Sequence, residues 1–305
     1  MTCFFRGAAL ASVLVGAVAL TPAMAAHAAG VSGPDVIHVV TVTPAAPYHF
    51  FGRLPETLRA PWNGISLGGI VDTRRYAEHS TTGDLDSEGG MIPGAVLGVA
   101  WQGQHWGAHL RAHYAAGGAD YSGACQYASA GIVVPISGTT GNRMTGVGAG
   151  VDWAFSPLHK LAVRTGPSVS YERWNRDLPK SSSCGSYTEK YTRLVPSWNL
   201  GVARAIGPVV IQARLRYGLS ISPSMKASLA GGHTFNLGDH VDYGFGLGVI
   251  WSINDQVSVY LTDRYEHFGF GASGLTPVGG GIAIGEPAST TNINRIGFGV
   301  RLQLW

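Results

Sequence analysis

Charge is scarce in this chain. Only 13% of its residues are Asp, Glu, Lys or Arg, about half the ~25% of ordinary soluble domains. Long apolar runs are scarce as well: after the N-terminal region no stretch offers the ~20 consecutive apolar residues that a transmembrane helix needs. Any embedding in a membrane must therefore be by strands. Cysteine occurs three times, at Cys3, Cys125 and Cys184, with no Cys-x-x-Cys pair, and there is neither a Gly-x-Ser-x-Gly elbow nor a His-Glu-x-x-His helix. The net charge of +3 comes without a basic run interleaved with aromatics, which argues against a nucleic-acid partner. Nothing calls for a cofactor or a metal.

Glycine is what the chain has in excess, 44 in 305 residues, roughly twice the usual ~7%. Low charge and high glycine together suit a barrel whose strands face lipid on one side and a crowded interior on the other. The N-terminus predicts export. Arg6 gives a basic start, Ala8 to Leu20 is a small and apolar run, and Ala23-Met24-Ala25 is a cleavage signature, so residues 1–25 read as a signal peptide. No Cys stands at that site, so a lipid anchor is not expected. Residues 26–63 carry Pro34, Pro44, Pro47, Pro55 and Pro61 and read as a poorly ordered or extended periplasmic segment with a short strand over Val36 to Val42.

From Gly64 onward a plan repeats: an alternating run, a long polar gap, a second alternating run, a tight turn. The runs fall at 64–76, 93–102, 105–117, 144–156, 159–173, 188–205, 208–222, 240–253, 256–270 and 290–305. The last one sets Ile296, Phe298, Val300, Leu302 and Leu304 against Arg295, Gly297, Gly299, Arg301 and Gln303, the period of a strand with two different faces. It resembles the closing strand of bacterial outer-membrane barrels. Gly103-Gln104, Pro157-Leu158, Ile206-Gly207 and Asn254-Asp255 make tight turns, while 77–92, 118–143, 174–187, 223–239 and 271–289 are long. The prediction is all-β: a ten-stranded antiparallel transmembrane barrel over residues 64–305, with short periplasmic turns, five long external loops, and both termini in the periplasm.

Trp101, Trp106, Trp153, Phe155 and Trp251 near the tight turns, and Tyr114, Tyr171, Tyr217 and Tyr243 toward the long loops, read as two aromatic girdles. One residue breaks the pattern: Asp263 falls on the lipid side, which a bulge or a shifted register would explain. The inward parity collects Asp72, Arg74, His109, Arg111, His113, Asp152, Arg164, Glu172, Arg214, Arg216, Asp242, Arg264, Glu266, Arg295 and Arg301. A ten-stranded barrel is little wider than the eight-stranded size that side chains fill, so these groups are expected to pair across the lumen as a plug. Cys125 and Cys184 sit in neighbouring external loops in an oxidising compartment and are expected to form a disulfide, closing a loop for which chain entropy gives roughly 4 kcal/mol.

Three further sets carry chemical potential. Asp84-Leu85-Asp86 is a carboxylate pair in the first long loop, and Asp239-His240 and Glu266-His267 place a carboxylate beside an imidazole at the mouth. With the opening Ile65-Ser66-Leu67-Gly68, this architecture resembles the omptin-type outer-membrane superfamily, which holds aspartate and histidine surface proteases and also non-catalytic Opc-type adhesins. The resemblance implies Asp84, Asp86, Asp239 and His240 as the catalytic set if the chain is a protease. The family places its Asp-x-Asp pair in the second outer loop and separates its Asp and His by one residue, unlike the spacing here. The leading expectation is a monomeric barrel in outer-membrane lipid with an adhesin-like or envelope-structural role, whose external loops meet a protein or glycan ligand. An omptin-like endopeptidase is the alternative and a small anion-leaning channel the third reading.

Overall fold

The computed structural model describes residues 52–304 apart from 81–82, 128–131, 159, 181–185, 229–231 and 280–281. The expected signal peptide, the Val36 to Val42 strand and Cys184 lie outside the described residues. Among the described residues ten strands close the barrel: β1 (Gly64–Ser80), β2 (Gly83–Gln102), β3 (Trp106–Tyr127), β4 (Ile132–Leu158), β5 (Leu161–Asp177), β6 (Thr188–Ile206), β7 (Val209–Ala227), β9 (His240–Ser252), β10 (Val257–Phe270) and β13 (Ala288–Leu302). The short β8 (His233–Asn236) adds to the end of β7, and β11 (Thr276–Gly279) pairs with β12 (Ile282–Ile284) in a separate hairpin. All neighbours are antiparallel, and β1 meets β13 from Ile65↔Leu302 to His79↔Ala288. Among the described residues every barrel strand has a paired neighbour on both sides, the condition for strands to cross a bilayer.

The strand pattern is the one the alternation predicts. Leu67, Leu97, Leu110, Val151, Leu215, Leu247, Phe298 and Val300 are exposed on the outside, while Asp72, Asp152, Glu172, Asp242 and Arg295 are buried within. Trp101, Trp106 and Trp251 form one exterior aromatic level, and Tyr114, Tyr171, Tyr217 and Tyr243 the other. Two expectations need correction. The stretches read as long loops are largely strand: β2 begins at Gly83, and β3 and β4 pair out to Tyr127↔Ile132. Beyond the bilayer the outward face meets water, so its side chains turn polar and the apolar half of the alternation disappears although the ladder continues. Asp263 needs neither a bulge nor a shifted register. The pairing of β10 runs unbroken past it, with Leu247 on one side and Ile296 on the other, so a carboxylate stands exposed amid apolar neighbours.

The lumen is filled in layers. Toward the hairpin end Tyr76, Met144, Trp174, Tyr191, Met225, Phe235, Phe268 and Phe270 pack into one apolar layer. At the tight-turn end the filling comes partly from outside the barrel sequence. Residues 52–63, expected as loose periplasmic chain, instead make a short helix α1 (Glu56–Arg59) and a 3-10 turn over Ala60–Trp62. Leu54, Leu58 and Trp62 pack there against Ala154, Ala162, Ala203, Val210 and Ile250. Small residues on the barrel wall leave the room that this segment occupies. Gly52 bridges Ser156, and the Asn63 side chain accepts from the Gln102 amide at 2.5 Å. Gly64 then turns the chain into β1 at φ +117°, where a Cβ would lie 1.9 Å from the Leu302 carbonyl oxygen; only glycine fits.

The exterior makes a graded prediction. Leu215→Arg should destabilise the refolded barrel by about 2–4 kcal/mol. Leu247→Arg, placed opposite Asp263, should cost clearly less because the two charges pair, and Asp263→Leu should stabilise. Urea titration of all three against the parent chain checks the order; equal effects at positions 215 and 247 would contradict the lipid-facing placement of Asp263.

Candidate functional site: the lumen and its mouth

Continuing the inward parity of β1 and β5 beyond the apolar band brings Tyr76 and Glu78, and Trp174 and Arg176, to the centre of the hairpin end. Arg176 is fully buried. Its Nη1 lies 2.6 Å from Glu189 and 3.5 Å from Glu78, and its Nε lies 3.2 Å from Glu88. The guanidinium plane also sits 4.2 Å from the Tyr76 ring centroid. Asn142 joins this knot to the next layer: it donates to Glu88 at 2.6 Å and accepts from Trp174 at 2.6 Å and from Arg74 at 3.0 Å. Tyr191 stacks between Trp174 and Phe270 and donates to Glu286 at 2.9 Å. One cation thus serves three carboxylates, and aromatic faces exclude water from it.

Below this level the balance of charge reverses. Arg193 spans Glu172 at 2.5 Å and Asp242 at 2.6 Å. Arg295 grips Asp72 with two hydrogen bonds of 2.6 and 2.8 Å, the fork geometry that makes such pairs strong. Glu266 lies 3.5 Å from Arg264, and Asp152 lies 3.5 Å from Arg164 and 3.3 Å from His109. Ion pairing, within a strand or between nearby strands, takes in Asp72, Asp152, Glu172, Asp242 and Glu266. It does not extend to all the cations. Arg74 bonds the neutral Asn142, Arg216 bonds the hydroxyls of Ser197 and Ser170 at 3.2 and 3.1 Å, and Arg301 bonds the Pro61 carbonyl. Among the described residues no ion pair or side-chain hydrogen bond reaches Arg111 or Arg214. Between these side chains lies a cavity of about 200 Å³, so the middle of the lumen is a chamber rather than a solid plug.

The four residues implied as a protease set are held separately. Asp86 accepts from Tyr121 at 2.8 Å and from the Ala124 amide at 3.3 Å. Asp84 is placed by its backbone, opposite His79. Asp239 accepts from the Ser222 amide at 2.9 Å, at an irregular point within β7 where Ser222 has φ +47°. His240 is engaged with the Val241 carbonyl at 2.8 Å, and its ring lies 6.0 Å from that of His267. His267 itself stacks on Tyr243 and meets Asn292 on the exterior. Among the described residues no hydrogen bond or ion pair joins Asp86 to Asp239 or His240, and no group of three metal-ligating side chains occurs. Cys125 lies in β3 opposite Val134, not in a loop, and with Cys184 outside the described residues no bond between the two is seen.

Sequence reasoning missed Glu78, Glu88, Arg176, Glu189 and Arg193. The signal was present: the inward register of β1 carries on from Asp72 and Arg74 through Tyr76 to Glu78, and that of β5 from Glu172 to Arg176. For Glu78, Glu88 and Arg176 it was lost where loops were assumed to begin, whereas Glu189 and Arg193 lay inside the run at 188–205 and were not assigned to its inward face.

No family model matches the chain, and no curated protein matches it. Solved structures do. The outer membrane protease OmpT from Escherichia coli is similar at a TM-score of 0.56 and 11% identity, over 79% of this chain and 95% of that one. Weaker likenesses include the Pseudomonas putida toluene transporter TodX, at a TM-score of 0.31 and 11% identity over 81% and 91% of the two chains. Neisserial surface protein A follows at 0.33 and 11%, over 79% and 98%. At such identities the likeness is one of fold: a closed antiparallel barrel of the outer-membrane kind.

Proposed function

We propose that this protein is an outer-membrane barrel with both termini in the periplasm, acting through what its external β-hairpins bind, a protein or glycan surface, without catalysis or conduction. The observation that carries this reading is the cap around Arg176. It fills the bore with buried aromatic and charged side chains and ties β1, β2, β5 and β6 together at the root of the hairpins. A second packed layer at the tight-turn end, around Leu58 and Trp62, opposes a through-path. The omptin-like alternative draws less support, because Asp86 and Asp239 are committed to local hydrogen bonds at separate places. In planar bilayers the purified chain should give no conductance steps, and with a mixed peptide library no cleavage. Cells displaying it should adhere to immobilised glycans or matrix proteins above a vector control. Conductance or cleavage without adherence would overturn the reading.

The same cap yields a pH prediction. Burial, and then the neighbouring Glu189 and Glu78 carboxylates, push the Glu286 carboxyl up to about 9. A carboxyl raised above its unfolded value contributes stability that is fully present below that ordinary value, near 4.5, and is lost as pH rises through about 9. Protease nicking of residues 272–287 should therefore accelerate between pH 7 and pH 10, and Glu286→Gln should flatten that rise. An unchanged rise in the variant would assign the loosening to another group. Arg176→Met, which strands three carboxylates, should cost about 3–5 kcal/mol in urea unfolding.

A further inference from the structure

We propose that the chamber in the middle of the barrel is a binding site for a small multivalent oxyanion, held by Arg111, Arg214 and Arg216 with Arg164, Arg264 and Arg301 around them. This assignment is independent of the surface-binding reading, since it concerns the interior.

Its first support is the charge of the walls. The chamber is lined by six arginines from β3, β5, β7, β10 and β13, against two inward carboxylates, Asp152 and Glu266. Guanidinium does not give up its proton in proteins, so the imbalance cannot be relieved by titration. Both carboxylates already have a cation, Arg164 and Arg264 respectively. The layer above offers little more, because Glu172 and Asp242 share Arg193 and Asp72 is gripped by Arg295. Arg214 is the centre of the excess: it interacts electrostatically with four arginines, Arg111, Arg164, Arg264 and Arg301, and with one carboxylate, Asp152, which Arg164 already pairs. Like charges gathered in a low-dielectric enclosure repel strongly unless an anion lies among them.

The second support is space and geometry. Volume is concentrated where the cations are, because Gly98, Gly244, Gly246 and Gly297 form part of the wall. A cavity of about 200 Å³ has room for roughly a dozen waters, counting ~15 Å³ each, or for an anion of pyrophosphate size with some water. Guanidinium forks suit oxygen clusters on one phosphorus or carbon atom, which they bind through two parallel hydrogen bonds. A single chloride would neutralise one cation and leave the forks unfilled. Arg111 and Arg214, without an ion pair or side-chain hydrogen bond among the described residues, and Arg216, bonded only to hydroxyls, line one chamber and select for an anion with more than one charge.

The third support is closure. The Trp62 ring forms part of the lining, with Arg164 stacked on it at 4.2 Å, and Arg301 is bonded to the adjacent Pro61 carbonyl. On the other side lie the Arg193 and Arg295 ion pairs, with Arg193 against Phe268 of the apolar layer. A chamber flanked by packed layers on both sides takes up its anion as the barrel forms and releases it slowly.

That sets the experiment. The full barrel is refolded in uncharged detergent with radiolabelled pyrophosphate, at constant ionic strength in chloride, and passed through a desalting column. About one pyrophosphate per barrel should remain bound. Arg111→Gln/Arg214→Gln should retain at least tenfold less while still giving the gel shift of a folded barrel, and the exterior Arg173→Gln should match the parent. Should the double variant not fold, Arg214→Lys, which keeps the charge and loses the fork, serves in its place and should retain less than the parent. The thermal midpoint of the parent should also rise when pyrophosphate replaces chloride at equal ionic strength. No retained label with no shift in midpoint overturns the proposal, and so does label lost equally from Arg173→Gln, which would place the anion on the exterior.

Discussion

Everything in this molecule depends on the seam between β1 and β13. The two strands come from opposite ends of the barrel sequence, and their ladder turns a curled sheet into a ring with no free edge. In hydrocarbon an unpaired backbone amide or carbonyl costs several kcal/mol, so closure is the condition for embedding at all. Once the ring is closed, its interior is narrow and must be filled. The inward side chains carry charge, and that charge must be answered by a partner inside the same confined space. The layered lumen follows from these two demands.

The answer differs with height. At the hairpin end acid dominates, with Glu78, Glu88, Glu189 and Glu286 gathered around a single buried arginine. In the middle arginine dominates, and among the described residues Arg111 and Arg214 make no ion pair with a carboxylate. The two zones are separated by stacked aromatic rings, which contribute dispersion and exclude water, so the opposite charges do not simply collapse onto one another. Asn142 is the link across that boundary, facing Glu88 with its amide and Arg74 with its carbonyl.

How much of this was legible beforehand follows from where the bilayer imposes a pattern. Within the apolar band, lipid selects Leu, Val and Phe at every second residue, and there the strands, the two faces and the inward charges such as Asp72, Arg164 and Glu266 could be read directly. Above the band the outward residues are Arg143, Arg173 and Asn175, no longer apolar, and the same ladder looked like loop. The docked segment at Leu54 to Trp62 was obscured for a different reason. Prolines at positions 55 and 61 suggest extended chain, yet Pro55 stands just before a helix and Pro61 within the first turn of a 3-10 segment, where the missing amide costs nothing. The mouth residues show the limit of sequence spacing. Asp86 and Asp239 each have the chemistry of a catalytic acid, but each is taken by the nearest amide or hydroxyl.

The length of the strands has a mechanical side. β4 runs for 27 residues, about 90 Å of extended chain at ~3.3 Å per residue, and at a tilt near 40° this rises about 70 Å along the barrel axis, against an apolar band only ~25 Å tall. The longer strands therefore stand clear of the lipid as a stiff hydrogen-bonded wall, braced from inside by Arg176, while β9 and β10, of 13 and 14 residues, end much lower. Whatever touches the tips meets a rigid lever arm, and a sideways load applied there is delivered as torque to the bilayer-embedded ring instead of being absorbed by slack loops.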